Sequence, residues 1–294
     1  MKLSSLKSCF RFCQGNRKVL IISFGVLWGS FFTLYYDLIG KLIDDWLNDP
    51  NYSHGFIIPF IALYMVWLRR EKILSTNCAP SNLGLAVLIL SLLIFIIGTL
   101  GSELFTMRLS MIFVVWSLVL FFFGVNQAKL LTLPILYLIF MIPIPAIVWN
   151  KISFPLKLFV SKLAVVLVAF FGVPVLRAGN IINLSTVSLQ VVDACSGMRS
   201  LISLLSISAA LAIVNDFSLT KKWLIFLSAI PFAIFFNVLR LFSTALLAQY
   251  YDPGFAKGFL HEISGIMVFG MAIVCMFFLN SLLKPSSKMA NEGK

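Results

Sequence analysis

Long apolar runs alternate with short polar segments along almost the whole chain. Nine runs are apolar enough to predict membrane helices: residues 19–36, 55–68, 83–100, 109–125, 131–149, 152–172, 197–214, 223–249 and 259–280. Most of them have about the 17–22 residues that an α-helix needs to cross a ~30 Å hydrocarbon core. No internal repeat or long linker separates them. The pattern predicts an all-α polytopic membrane protein built as one bundle.

Basic residues indicate which loops face the cytoplasm, because Lys and Arg accumulate on that side of a membrane. They cluster in the amino-terminal tail, in the loop after the second run, in the loop 215–222 and in the carboxyl-terminal tail. The loop 37–54 instead carries four aspartates and one lysine, which predicts that it lies outside. We therefore expect a cytoplasmic tail over 1–18, a transmembrane domain over 19–280 and a second cytoplasmic tail over 281–294.

Nine crossings would disagree with these charges. If every run crossed, Lys221 and Lys222 would lie outside, so one run before residue 195 is expected not to cross. The best candidate is 152–172, which opens with Phe154-Pro155 and follows the run Ile142-Pro143-Ile144-Pro145; prolines of this kind interrupt helices. The sequence predicts about eight transmembrane helices and one re-entrant or interfacial segment.

Composition supports the membrane assignment and excludes other classes. Of the 294 residues, 60% are hydrophobic and 12% are charged, whereas soluble domains have roughly 45–50% apolar and about 25% charged residues. A soluble enzyme, a secreted disulfide scaffold and a disordered chain are excluded. The net charge of +12 falls mainly on the predicted inner side, so it reports topology and does not predict a nucleic-acid partner. Five scattered cysteines and two histidines predict neither a metal nor an organic cofactor.

A small outer hairpin is predicted over residues 173–192. Gly179-Asn180 supplies a turn, and Val187–Val191 alternates apolar and polar residues, as strands do. Two interpretations stay open. The exposed edge of the hairpin binds an extended substrate by strand addition, or the hairpin only closes the bundle.

Three residues with complementary chemistry fall at the predicted outer ends of three helices: Cys195, Arg240 and His261. A cysteine attacks as the thiolate, and a helix amino terminus with nearby cations lowers its pKa. A histidine titrates near physiological pH and can transfer the proton. An arginine offers fixed donors to the oxyanion of a tetrahedral intermediate. Together they predict nucleophilic catalysis.

Arg199 follows Cys195 by four residues, so we expect it on the same helical face, supporting catalysis or binding a substrate carboxylate. Structural interpretations of the three residues remain open. A cysteine at a helix end is often a small packing residue, a terminal arginine often snorkels to the interface, and an outer histidine is often an interfacial polar group.

Several motifs resemble the exosortase/archaeosortase family. They are Asp193-Ala194-Cys195-Ser196-Gly197-Met198-Arg199-Ser200, Asn237-x-x-Arg240, His261-x-x-x-Gly265 and the upstream run from Tyr52 through His54 to Tyr64. The resemblance covers roughly residues 45–280, in the order and spacing of the family, and the Cys-Ser-Gly block is its most specific part.

The resemblance implies a multipass cysteine transpeptidase or protease that cleaves a carboxyl-terminal sorting signal of exported proteins. In bacterial members this signal is a short Pro-Glu-Pro-type motif, an apolar helix and a basic tail. By position, Cys195 is the nucleophile, Arg240 the catalytic arginine and His261 the third member. Arg199, Asn237, Ser196 and His54 are expected to support the site or bind substrate.

The histidine at the third position favours the bacterial branch, where archaeal relatives typically carry arginine. This implies a bacterial inner membrane protein with both termini in the cytoplasm and the active site on the periplasmic side. Expected partners are the exported substrate proteins, membrane lipid and a possible amine acceptor, with no nucleic acid.

Two other functions compete with this interpretation. A transporter or lipid-linked glycan flippase would carry polar residues near the middle of the membrane and discontinuous helices related by an internal repeat. A membrane acyltransferase would use the same thiol with a lipid acyl donor.

Overall fold

The computed structural model describes residues 17–191, 196–251 and 259–284. Its contacts divide the chain into two compact units, Met1–Ile144 and Pro145–Lys294, where the sequence predicts a single bundle. In the first unit the helices are α1 (Arg17–Asn48), α2 (Ile57–Leu68), α3 (Arg70–Ser75), α4 (Leu83–Leu100), α5 (Leu104–Phe123) and α6 (Val125–Tyr137). Short 3-10 turns, Ser53–Phe56 and Leu138–Met141, precede α2 and follow α6.

The second unit combines helices with one small sheet. Its helices are α7 (Ala146–Phe170), α8 (Met198–Val214), α9 (Leu219–Tyr250) and α10 (Phe259–Leu283). Between α7 and α8 lie the strands β1 (Val175–Ala178), β2 (Ile181–Leu184) and β3 (Ser188–Gln190). They form an antiparallel sheet in the order β1-β2-β3. The predicted hairpin is therefore present and has a third strand.

The helices confirm a polytopic all-α membrane protein. Within the described residues, six helical segments are long and apolar enough to cross a membrane, and three shorter apolar segments accompany them. Large apolar side chains along these helices are exposed, for example Phe60, Ile97 and Val274. Exposed apolar surface on this scale is unsuited to water and suited to lipid. The number of true crossings stays a prediction.

The first helix is longer than predicted. It was expected to end at residue 36, before an acidic outer loop, but α1 continues to Asn48. The reason is an apolar residue at every fourth position, Leu38, Leu42 and Trp46, which are 5%, 2% and 9% exposed. This spacing places all three on one buried helical face. Three of the four aspartates that suggest a loop, Asp37, Asp44 and Asp45, therefore lie on the other faces of an amphipathic helix.

The short helices α2 and α6 lie side by side and antiparallel. At one end the amide of Gln127, near the start of α6, donates to the carbonyl of Ile73 beyond α2 (2.7 Å). At the other end the hydroxyl of Tyr52, just before α2, donates to the carbonyl of Ile144 beyond α6 (3.4 Å). The ends of the two segments coincide, so both cover the same depth of the first unit.

The helix break predicted at Ile142–Pro145 is confirmed, because no helix includes these residues. The two runs around it are divided differently from the prediction. The run 131–149 is not one helix, since it contains the break. The run 152–172 belongs to α7, which starts at Ala146 and continues through Pro155. Membrane helices accept such a proline because neighbouring groups satisfy the freed backbone carbonyl.

The sheet packs on α7 and α9 of the second unit. One core cluster joins all three elements: Val160, Ala164, Ile182, Val191, Val238 and Leu241. A second core joins α8, α9 and α10 around Leu204 and Met276, with the small residues Ala229, Ala233 and Ala272 between them. Small residues let membrane helices approach closely, and this packing brings the predicted site residues of α8, α9 and α10 to adjoining helices.

Candidate functional site

The segment of the predicted nucleophile leads directly into α8. Cys195 and Asp193 themselves lie outside the described residues. Helix α8 begins at Met198 with Gly197 as its amino-terminal cap, so a helix does start just after the cysteine, as predicted. Ser196 is fully buried, and its hydroxyl accepts a hydrogen bond from the backbone N–H of Met198 (3.2 Å). This bond fixes the entry of the chain into the helix.

Gly197 is required at the start of α8 for two reasons. Its φ is +84°, a left-handed conformation that other residues adopt at a cost. A Cβ atom there would also lie 3.0 Å from the side-chain nitrogen of Asn237 on α9. Asn237 is buried, 4% exposed. The amide of Asn237 therefore packs directly on the backbone two residues after Cys195.

The predicted helical relation between Cys195 and Arg199 stays a prediction, because Cys195 lies outside the described residues. Arg199 lies in the first turn of α8 and is partly buried, and its supporting role stays a prediction.

Asn237 and Arg240 lie one turn apart on α9 and line the same small cavity. Ser200 of α8 and Gly265 of α10 complete its polar end. The remaining lining residues are apolar: Leu204, Ala233, Phe236, Val268, Phe269 and Ala272. The cavity thus has a polar end formed by three helices and an apolar interior.

Arg240 lies against the backbone of α10 at Gly265. A Cβ atom on Gly265 would be 3.3 Å from the guanidinium carbon and 3.4 Å from Nη1. The glycine of the His-x-x-x-Gly motif therefore makes room for the arginine of the Asn-x-x-Arg motif. His261 lies in α10 one turn before Gly265, and its side chain is outside the described residues. The structure brings Asn237, Arg240 and Gly265 together, and the positions of the Cys195 and His261 side chains stay predictions.

His54 belongs to the first unit, in the 3-10 turn before α2. Burial lowers the pKa of its imidazole, and hydrogen bonds to the carbonyls of Phe140 and Asn51 oppose this shift. Its Nε2 atom is buried and has no hydrogen-bond partner among the described residues. The contribution of His54 to the thiol site stays a prediction.

An ion pair in the first unit was missed by the sequence reasoning. Arg108 of α5 is 2% exposed, and its Nη2 atom lies 2.6 Å from Oδ2 of Asp45 in α1. The topology prediction places both residues on the same side of the membrane. This shared side is the sequence feature that could have suggested the ion pair. Their pairing could not be predicted, because Asp45 was assigned to a loop with three other aspartates.

The described residues contain no group of three or more His, Cys, Asp and Glu side chains that could hold a metal ion. The polar groups that line the cavity are a hydroxyl, an amide and a guanidinium. They are hydrogen-bonding groups suited to a peptide or an oxyanion.

Comparison with known proteins adds one match. The sequence profile described as transmembrane exosortase matches residues 46–278, which is more than half of the chain. The matched region contains every predicted site residue from His54 to His261. No curated protein and no solved structure matches the chain.

Proposed function

The chain belongs to the transmembrane exosortase family, and from this premise we propose that it is a membrane cysteine transpeptidase or protease. Its substrates are exported proteins with a carboxyl-terminal sorting signal, namely a short Pro-Glu-Pro-type motif, an apolar helix and a basic tail. The observation that carries the proposal is the position of Arg240. It adjoins Asn237, which packs on the segment after Cys195, and Gly265, one turn from His261.

The proposed reaction is acyl transfer through a thioester. The Cys195 thiolate attacks the scissile carbonyl and forms a carbon–sulfur bond, while Arg240 donates hydrogen bonds to the oxyanion. The carbon–nitrogen bond then breaks, and His261 protonates the leaving amine. An amine acceptor or water attacks the thioester, which releases the product and regenerates the thiol. The balance of the reaction needs no metal or organic cofactor.

The supporting residues have distinct proposed roles. Ser196 and Asn237 hold the segment of the nucleophile through the bond to Met198 and the contact with Gly197. Arg199, in the first turn of α8, is proposed to bind a carboxylate of the substrate. His54 is proposed to support the site or to bind substrate.

The proposed location is the inner membrane of a bacterium, with both termini in the cytoplasm and the site on the periplasmic side. The substrate's own transmembrane helix then reaches the enzyme by lateral diffusion through the lipid. The scissile bond is presented just outside the bilayer, where water or an amine acceptor has access.

The test uses a tagged exported protein that carries a candidate sorting tail. It is expressed with the wild-type enzyme, with Cys195→Ala or with Cys275→Ala, and its mass is followed by immunoblot. Cys275 is a partly buried free cysteine of α10, so its substitution is the matched control. We expect processing with the wild type and Cys275→Ala and none with Cys195→Ala. Processing by Cys195→Ala at equal enzyme level would remove the proposed nucleophile.

The same system separates the acyltransferase alternative. Trapped adducts on Cys195 are weighed by mass spectrometry of the intact enzyme. A peptidyl adduct supports the transpeptidase, whereas a fatty acyl adduct contradicts it.

A further inference from the structure

The edge of the sheet nearest to Cys195 in the sequence is open. Among the described residues, strand β3 pairs on one side only, with β2, in the register Ile182↔Leu189. The carbonyl of Val187 accepts from Leu184 (2.9 Å), and the N–H of Val191 donates to Asn180 (2.9 Å). The backbone groups of residues 187, 189 and 191 are therefore directed toward β2.

The backbone groups of successive residues in a strand point to opposite sides, which determines the direction of the groups of residues 188 and 190. In an antiparallel ladder, residues whose neighbours bond to the partner strand direct their own N–H and C=O to the opposite side. Ser188 and Gln190 therefore present two donors and two acceptors at the open edge. Both residues are exposed, and no described residue pairs with their backbone groups.

The open edge is held firmly by the rest of the second unit. The hydroxyl of Thr186, in the turn before β3, donates to the carbonyl of Ala248 on α9 (3.4 Å). After β3, the side-chain amide of Asn180 donates to the carbonyl of Val191 (3.1 Å). Val191 itself is 1% exposed in the core between α7, the sheet and α9. Both ends of β3 are thus fixed, which prepares its edge for binding.

The edge also lies close to the nucleophile along the chain. Gln190 precedes Cys195 by five residues, so a fully extended chain places the two Cα atoms at most about 17 Å apart. Only the three residues 192–194 lie between the buried Val191 and Cys195 in the sequence. A peptide paired with β3 therefore has its neighbouring residues within reach of Cys195.

We propose that the open edge of β3 binds the substrate by strand addition. The occupant is the extended segment next to the scissile bond, which pairs with the backbone groups of Ser188 and Gln190. Main-chain hydrogen bonds of this kind provide affinity with little demand on side chains. The inference rests on the proposed function and specifies how the peptide reaches its site. It also accounts for a short, polar edge strand placed directly before the nucleophile.

The first arm of the test is Gln190→Pro, with Gln190→Ala as the matched control. Proline removes the outward N–H and no bond to β2, and edge strands tolerate it at such positions. Processing of a peptide with the sorting motif is measured with purified full-length enzyme in detergent. We expect KM to be at least about tenfold higher for Gln190→Pro than for Gln190→Ala, because only proline removes the outward N–H. Equal KM values for proline and alanine would overturn the proposal.

The second arm modifies the substrate, so its outcome does not depend on the folding of a variant. Single N-methyl groups are introduced at successive residues of the motif peptide and tested on the wild-type enzyme. Strand addition predicts that alternate positions are sensitive, because only every second N–H faces β3. Uniform tolerance of N-methylation would contradict it.

Two controls separate the possible failures. If Cys195→Ala is inactive and the two arms show no effect, strand addition is wrong while the proposed function stands. If Cys195→Ala remains active, the proposed function itself fails. A change of oligomeric state in Gln190→Pro, without a change of KM, would instead assign the edge to pairing between two copies of the chain and overturn the proposal.

Discussion

Arg240 depends on a glycine of the neighbouring helix for its position. In Gly265→Ala the new methyl group would lie 3.3 Å from the guanidinium carbon, so the guanidinium has to shift by a few tenths of an ångström. Because a misplacement of about 1 Å can cost roughly 100-fold, we expect kcat to fall about three- to tenfold. The measurement is the processing rate of purified enzyme.

Gly270→Ala is the control for this substitution, because it lies in the same helix and nothing approaches its Cβ position within 4 Å. Alanine favours helix over glycine by about 1 kcal/mol, so neither variant should lower the unfolding temperature. Equal kcat values for the two variants would show that Arg240 does not need the space at Gly265.

His54 predicts a loss of stability in acid. Burial lowers its pKa below the ordinary value of 6.5, so between these two pKa values the unfolded chain binds a proton that the folded chain does not. The stability of the folded state therefore does not depend on His54 protonation above about pH 6.5, and it decreases as the pH falls from there toward the pKa of the folded chain. The unfolding temperature in detergent, measured from pH 7.5 down to about pH 5, should fall less in His54→Gln than in the wild type.

The second histidine provides the comparison for that titration. His261→Gln should keep the acid sensitivity of the wild type if His54 is its source. The reverse pattern, with a flat profile in His261→Gln only, would assign the effect to His261.

The sequence motifs identified the residues of the site, but helix packing explains why two of them have to be glycine. Gly197 and Gly265 appear as motif members, and the spacing of their motifs placed them near the site. That Gly197 faces Asn237 and Gly265 faces Arg240 depends on how α8 and α10 pack on α9. Pattern alone contains no distance between helices, so the steric roles could not be predicted.

Among the elements, α1 and α5 are joined by the pair Asp45–Arg108. Asp45→Ala would leave Arg108 buried without its anion, which typically costs several kcal/mol. Since the side chain of Asp45 is 40% exposed, we expect the lower end, about 3 kcal/mol. Asp44→Ala is the matched control because Asp44 is its exposed neighbour on the same helix. Unfolding by denaturant in mixed micelles measures the difference.

The cost of the uncompensated charge can be separated from any other effect. The double variant Asp45→Ala/Arg108→Met removes both charges and should recover part of the stability lost in Asp45→Ala. No recovery would mean that Asp45 stabilises α1 by a different contact.

Helix boundaries were predicted well where apolar runs end at turn residues. The run 83–100 coincides with α4, and 197–214 differs from α8 by one residue. The end of the first helix was predicted too early, because the second half of α1 is amphipathic and not uniformly apolar. There the apolar stripe of Leu38, Leu42 and Trp46 carries the signal, and the exposed aspartates between these residues hide it from a search for uninterrupted hydrophobic runs.

The topology of the complete protein depends on whether α7 crosses the membrane. Its length satisfies the requirement for crossing, but the charges of the loop 215–222 require one segment before it to return to the same side. The segment that follows α6 meets the segment that precedes α2, where the hydroxyl of Tyr52 donates to the carbonyl of Ile144, so we expect α6 to cross whenever α2 does. We therefore expect α7 to be the segment that does not cross.

Cysteine accessibility tests this topology at two exposed positions at the ends of α7. Ile147→Cys and Phe171→Cys are introduced singly into a variant without its native cysteines and labelled in intact spheroplasts with a membrane-impermeant maleimide. A non-crossing α7 predicts labelling of both. Ser185→Cys, in the turn between β2 and β3, should also label, whereas Lys222→Cys should label only after permeabilisation. If Phe171→Cys labels and Ile147→Cys does not, α7 crosses, and one of the shorter apolar helices must be the segment that stays on one side.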